Sequence, residues 1–374
     1  MTTVVVSAVN FSEGGPLTVL RQCLESARLA LGPNDRLIAL VHDCALVEIE
    51  GVEAIAFPKA KRSYLRRLQL EYFGFKKLSS KLKPDLWLSL HDMSPRLNGE
   101  AQAVYCHNPA PFFSPTWRDI WFEPSLGLFS AFYRWIYRFN LHSNRLVIVQ
   151  QDWLRKAFRD RYGAKNIIVA YPRIDKRLAP LNRLEQFARM NHEGPLVLFY
   201  PTLPRAFKNI ETLCAAIELV EKRTRRPVKL HVTIDGSENS YARSIVKRYG
   251  QCEQIAFIGR QDRSGMAREY ASCSALAFPS RLETWGLPIT EAKDFAKPLM
   301  VADLPYAREA VGSYNQVAFI AATDVDAWAD AMLAASNDHI LFKSVEHLQP
   351  AQPFASDWAA LWHNLSQLLR PQAK

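Results

Sequence analysis

The chain has 374 residues, 48% hydrophobic and 22% charged, with 47 Lys and Arg against 37 Asp and Glu, a net charge of +10 and a pI near 9.3. This balance excludes a disordered chain, and the length predicts two or three domains. Six scattered cysteines with no Cys-x-x-Cys pair exclude a disulfide scaffold and a zinc knuckle, so reduced, mostly buried thiols and no metal are expected; no apolar run reaches the ~20 residues that span a bilayer.

The chain enters an apolar run, Val4–Val9, with no basic region ahead of it, which reads as a first strand rather than a signal peptide. The loop Asn10–Leu17 follows, with Gly14 and Gly15 permitting close backbone approach to a ligand. Further strands are predicted over Arg36–Val41, Glu53–Phe57, Leu86–Leu90, Ala103–Cys106, Leu146–Gln150 and Ile167–Ala170. Between the third and fourth, Lys59, Lys61, Arg62, Arg66, Arg67, Lys76, Lys77, Lys81 and Lys83 crowd a stretch in which Tyr64, Leu65, Leu68, Tyr72, Phe75, Leu78 and Leu82 recur at near-helical spacing. Amphipathic helices with a basic face are expected there, suited to anionic headgroups or simply solvated. His91 and Asp92 end one strand, and Tyr105-Cys106-His107-Asn108-Pro109 ends the next. The aromatic-rich stretch from Phe112 to Phe139 is expected to be mainly core.

A polar tract, residues 173–194, reads as a linker between an N-terminal domain, residues 1–172, and a C-terminal domain, residues 195–355. The second half repeats strand–helix alternation, with strands over Leu196–Tyr200, Val228–Ile234, Ile255–Gly259, Leu276–Phe278, Leu299–Ala302 and Val317–Ile320. Such alternation implies parallel sheets covered by helices on both faces. After Tyr200 come Arg205, Lys208 and Asn209, then a helix from Ile210; two cations at this point suit a diphosphate leaving group. After Phe278 comes Pro-Ser-Arg-Leu-Glu-Thr-Trp-Gly-Leu-Pro-Ile-Thr-Glu-Ala, with Glu283 on a loop and Glu291 expected in the first turn of the next helix. Pro288 suits the first helical positions and Gly286 a tight bend. A final helix is predicted within residues 356–370, with Ser356 as its N-cap.

Glu283 and Glu291, eight residues apart with Gly-Leu-Pro between them, resemble the paired-glutamate motif of the retaining glycosyltransferases of family 4. The resemblance implies a GT-B fold: α/β, two Rossmann-like doubly wound parallel-sheet domains facing a cleft, with the C-terminal helix crossing back to the first. It implies that Glu283 contacts the donor sugar and Glu291 the ribose, with Thr284, Trp285, Gly286 and Leu287 near sugar and phosphate. Arg205 and Lys208 would hold the diphosphate, Gly14 and Gly15 would form the glycine loop, and His107 would lie near the transferred sugar. The implied substrate is a nucleotide sugar, with no cofactor and no metal, and the acceptor a lipid-linked glycan. Lys61, Arg62, Arg66, Arg67, Lys76 and Lys77 are candidates for acceptor or anionic membrane contact. The expected setting is cytoplasmic, peripheral on the inner face of the membrane, in O-antigen-type polysaccharide synthesis with mannose or rhamnose as the sugar. The alternatives are a basic nucleic-acid-binding protein, for which no helix-turn-helix, zinc-finger or RNP signature is present, and a non-catalytic nucleotide-sugar-binding module.

Overall fold

The computed structural model describes residues 1–12, 14–172, 194–223, 227–337 and 350–369, with Arg62 described by its backbone alone. The expected linker lies outside them apart from Gly194, as does Glu13 of the glycine loop. The described parts of Met1–Phe112, Ala131–Arg173 and Pro350–Lys374 form one compact unit, and those of Phe113–Ser130 and Ile174–Gln349 form another.

The first unit is built on β1 (Thr3–Ser7), β2 (Arg36–Val41), β3 (Val52–Ala56), β4 (Leu86–Ser89), β5 (Ala101–Cys106), β6 (Leu146–Val149) and β7 (Ile167–Ala170). The second is built on β8 (Leu196–Tyr200), β9 (Val228–Val232), β10 (Ile255–Phe257), β11 (Ala275–Phe278), β12 (Leu299–Ala302) and β13 (Val317–Ile320). A two-residue strand that the sequence did not announce, β14 (Phe354–Ala355), pairs with β7 in the first sheet. The orders are β14-β7-β6-β5-β4-β1-β2-β3 and β10-β9-β8-β11-β12-β13, and every pairing is parallel.

Burial on both faces explains why the strands read as continuous apolar runs. Val4 and Val6 pack into one core with Leu37 and Ala39, while Val5 packs into another with Ile38, Leu40 and Trp87. In β5, Ala103 and Tyr105 face the first of these cores, and Val104 and Cys106 a third. The C-terminal helix Trp358–Leu368 buries Trp358, Leu361, Trp362 and Leu365 in the core that holds Val4 and Leu20. Trp362 Nε1 donates to the Cys23 carbonyl at 3.0 Å. Its N-cap is Asp357, whose carboxylate accepts from the Ala360 amide at 2.8 Å, and not Ser356.

The basic stretch forms helices Pro58–Arg62, Tyr64–Gln69 and Phe75–Leu82, the last two joined by a π-helical turn, Leu70–Gly74. Lys61, Arg66, Lys76 and Lys77 are exposed, but Arg67 is buried and donates through NH2 to the His91 carbonyl at 3.0 Å. Arg67 is therefore no surface contact: it lies on the inner face of the helix Tyr64–Gln69, where a backbone carbonyl accepts from its guanidinium. The aromatic stretch also departs from expectation. Tyr133 and Tyr137 are core, whereas Trp117, Trp121, Trp135 and Phe139 are 89%, 81%, 70% and 61% exposed.

Both sheets begin in the middle. From β1 the chain moves outward through β2 and β3, then returns to place β4 on the other side of β1. From β8 it moves through β9 and β10, then places β11 on the other side of β8. At each reversal the loops leaving the two central strands diverge, opening a crevice at their carboxyl ends where α/β sheets bind ligands.

Candidate active site

The crevice between β8 and β11 gathers the charged candidates of the second unit. Beyond β8 the chain forms a short 3-10 turn, Ala206–Lys208, and Tyr200 Oη donates to the Lys208 carbonyl at 2.6 Å. Asn209 adopts left-handed backbone geometry, φ 59°, and its side-chain amide donates to the Ala322 carbonyl at 2.6 Å. The turn is thereby fixed, and the Lys208 ammonium donates to Glu283 Oε1 on the neighbouring loop after β11. These two side chains are only 16% and 15% exposed, so water screens the pair far less than it would at the surface. Lys208 Nζ also lies 5.6 Å and 5.8 Å from the Phe207 and Phe278 ring centroids, where a cation meets the negative ring faces. Arg205, more open, places Nε 2.5 Å from Glu123 Oε2.

The two loops are tied to each other. Arg281 donates its amide to the Phe207 carbonyl at 2.8 Å and its guanidinium to the buried Asp119. Tyr306 Oη donates to the Ser280 carbonyl at 2.6 Å. Gly286 caps the helix Leu287–Asp294 with φ 80°, and a Cβ there would press on Ile289 and Tyr306 at 3.3 Å. Glycine is thus required by both backbone and space. Trp285 is buried with Nε1 donating to Thr290 Oγ1 at 3.0 Å, which holds the Thr284–Leu287 segment against its own helix. The amides at the start of that helix are suited to an anion.

Glu291 is the fifth residue of this helix and lies in its second turn, because the helix opens at Leu287, one residue ahead of Pro288. Its carboxylate accepts from Tyr270 Oη at 2.6 Å. Burial pushes the Glu291 carboxyl above its usual range, and the Tyr270 hydrogen bond offsets part of that shift. At the far end, Lys293 Nζ donates to the Ala310 and Val311 carbonyls at 2.8 and 2.9 Å, anchoring the helix to its neighbour; burial lowers its pKa.

In the first unit, Gly14 opens the helix Gly14–Ala30 with φ 65°, and Cβ atoms added at Gly14 or Gly15 would meet nothing within 4 Å. Here backbone conformation, rather than a close wall of protein, calls for glycine at Gly14. His107 directly follows β5, with its ring 5.6 Å from Phe11 and its Nε2 3.7 Å from Asp92 Oδ2. Asp92, at φ 69° beyond β4, accepts from the His107 and Asn108 amides at 2.7 and 3.0 Å and from Tyr137 Oη at 2.6 Å. His91 is wholly buried between Ser7 and Glu71, Nδ1 donating to the Ser7 carbonyl at 2.9 Å, which makes it a framework residue. Glu123, Asp119, Arg281 and Tyr270 had not been singled out, whereas Asp92 had been named with His91 at a strand end. Only Asp119 carried a readable signal: Thr116-x-x-Asp119 is a capping box, and both of its hydrogen bonds form.

Residues 181–350 match the model of the family described as Glycosyl transferases group 1. The stretch is somewhat under half of the chain and contains Arg205, Lys208, Glu283 and Glu291. The fold is similar to that of sucrose-phosphate synthase from Thermosynechococcus elongatus, at a TM-score of 0.64 and 16% identity over 98% of each chain. It is similar to the lipopolysaccharide outer core galactosyltransferase WaaB in its apo form (TM-score 0.63, 14% identity, 92% of each chain). Anabaena HepE, solved with UDP and glucose, is a third likeness, with a TM-score of 0.61 and 14% identity over 99% of each chain. At such identities the likeness is one of fold, and the fold is GT-B: two units, each a parallel sheet with helices on both faces. No curated protein matches the chain.

Proposed function

We propose that the chain is a retaining, metal-independent glycosyltransferase of the family 4 kind, moving a hexose or deoxyhexose, mannose or rhamnose, from a nucleoside-diphosphate sugar to a hydroxyl of a lipid-linked glycan. The observation that carries this reading is the Lys208–Glu283 pair at the β8/β11 crevice, beside a glycine-capped helix N-terminus. An ammonium and helix amides suit a diphosphate, while carboxylates repel phosphate and accept hydrogen bonds from hydroxyls. A nucleotide sugar offers both groups. Lys208 and Arg205 would take the diphosphate as it gains charge, Glu283 the sugar hydroxyls, and Glu291 the ribose. His107, oriented by Asp92, is assigned to the transferred sugar. HepE, solved with UDP and glucose, and the lipopolysaccharide transferase WaaB support donor and acceptor class. A thermal-shift series tests the reading. One of GDP, UDP or dTDP should raise the melting temperature, by an amount set by its concentration over Kd, while duplex DNA leaves it unchanged. Stabilisation by DNA alone would favour the nucleic-acid alternative.

The proposed place of work is the inner face of the cytoplasmic membrane, in surface polysaccharide synthesis. No helix among the described residues is long and apolar enough to cross a membrane. In the first unit, ring contacts Tyr64–Phe132 (5.0 Å) and Tyr72–Phe139 (4.8 Å) set the exposed Phe132, Trp135 and Phe139 beside the basic helices. There Leu65 and Phe73 are also exposed, with Arg66, Lys76 and Lys77 around them. Interfacial aromatics beside cations suit an anionic headgroup layer. The protein should sediment with phosphatidylglycerol vesicles at low salt and dissociate as ionic strength rises. Each cation contributes about 1 kcal/mol within a Debye length of about 10 Å at 0.1 M. Equal partitioning to neutral vesicles would refute electrostatic attachment.

A further inference from the structure

Phe113–Ser130 precedes β6 in the chain yet packs with the second unit. Its helix Trp117–Phe122 is fastened there by three contacts: Asp119 to Arg281, Arg118 to Glu211 at 2.6 Å, and Phe122 against Tyr241 at 5.4 Å between centroids. At the end of that helix Glu123, with only 11% of its side chain exposed, commits both carboxylate oxygens to the β8 loop. Oε2 meets Arg205 Nε at 2.5 Å, and Oε1 accepts the Ala206 amide at 2.7 Å. A guanidinium beside a free-facing backbone amide at the carboxyl end of a central strand is a donor set suited to a phosphate group. Here an internal carboxylate fills it.

We propose that Glu123 is a built-in competitor of the donor's diphosphate, holding Arg205 and the Ala206 amide until a phosphate displaces it. The inference rests on the donor site proposed above. The other three contacts do not involve Glu123, so the segment stays fastened while the single side chain swings away. Competition by a negative charge means that removing the charge strengthens binding, whereas a residue that merely positions Arg205 would weaken binding when replaced.

The test is calorimetric titration of GDP, UDP, dTDP and inorganic pyrophosphate into the wild type, Glu123→Gln, Glu123→Ser, Arg205→Ala and the Glu123→Gln/Arg205→Ala double variant. Whichever of these binds the wild type should bind both Glu123 variants about fivefold more tightly, the scale of a half-exposed ion pair. In the Arg205→Ala background, where only the Ala206 amide is left to compete for, Glu123→Gln should have a smaller effect. Equal or weaker binding in both folded Glu123 variants overturns the competition while leaving the donor site intact. Absence of binding in the wild type and all variants removes the donor site, and the competition with it.

Discussion

Lys208→Ala is expected to slow sugar transfer by roughly 30- to 1,000-fold, the loss of about 2–4 kcal/mol of charge stabilisation on the departing diphosphate. Nucleoside-diphosphate affinity should fall with it, because the same ammonium meets the ground-state phosphate. The variant also loses stability. Lys208 is the ion-pair partner of Glu283, and both are mostly buried, so its removal leaves a carboxylate without its cation. That should cost about 1–3 kcal/mol of folding free energy. Rates and binding should therefore be compared well below the melting temperature, with circular dichroism as the check on folding. Arg205→Ala, by contrast, breaks a pair in which the arginine is 46% exposed, and should alter stability by no more than about 1 kcal/mol. Turnover unaltered in both variants would remove this loop from the active site.

The two glutamates should separate by ligand. Glu283→Gln is expected to depress transfer strongly while nucleoside diphosphate, which lacks the sugar, binds almost as well as before. Glu291→Ala should weaken nucleoside diphosphate and nucleotide sugar together. A site built to hydrogen-bond a hydroxyl loses heavily when the acceptor goes, because the remaining polar groups are left unpaired. Glu291→Ala also strips Tyr270 Oη of its acceptor, so Glu291→Gln, which keeps an oxygen at that position, serves as the folding control. Titrating both ligands into the three variants by calorimetry decides the matter. Loss of nucleoside-diphosphate binding in a folded Glu283→Gln would refute the sugar assignment. If neither position changed binding or rate, the glycosyltransferase reading would fail.

The sequence by itself determined the strand–helix alternation, the parallel class of both sheets, and the placing of Arg205, Lys208 and Glu283 on loops at strand ends. Those features are written in local chemistry: unbroken apolar runs such as Leu196–Tyr200, a glycine before Leu-Pro, a proline where a helix can begin. Only the tertiary structure decided which loops meet. Lys208 and Glu283 are partners because β11 returns to lie beside β8, a pairing that no local pattern encodes. It also decided that Arg67 points inward while Trp135 points outward, since the His91 carbonyl is brought to the arginine by β4, and Tyr64 and Tyr72 pack on Phe132 and Phe139 rather than on Trp135. Glu123 was invisible to sequence reading for the same reason. Its chemistry depends on a cation and an amide 82 and 83 residues further along the chain, and such a distance is closed by folding alone.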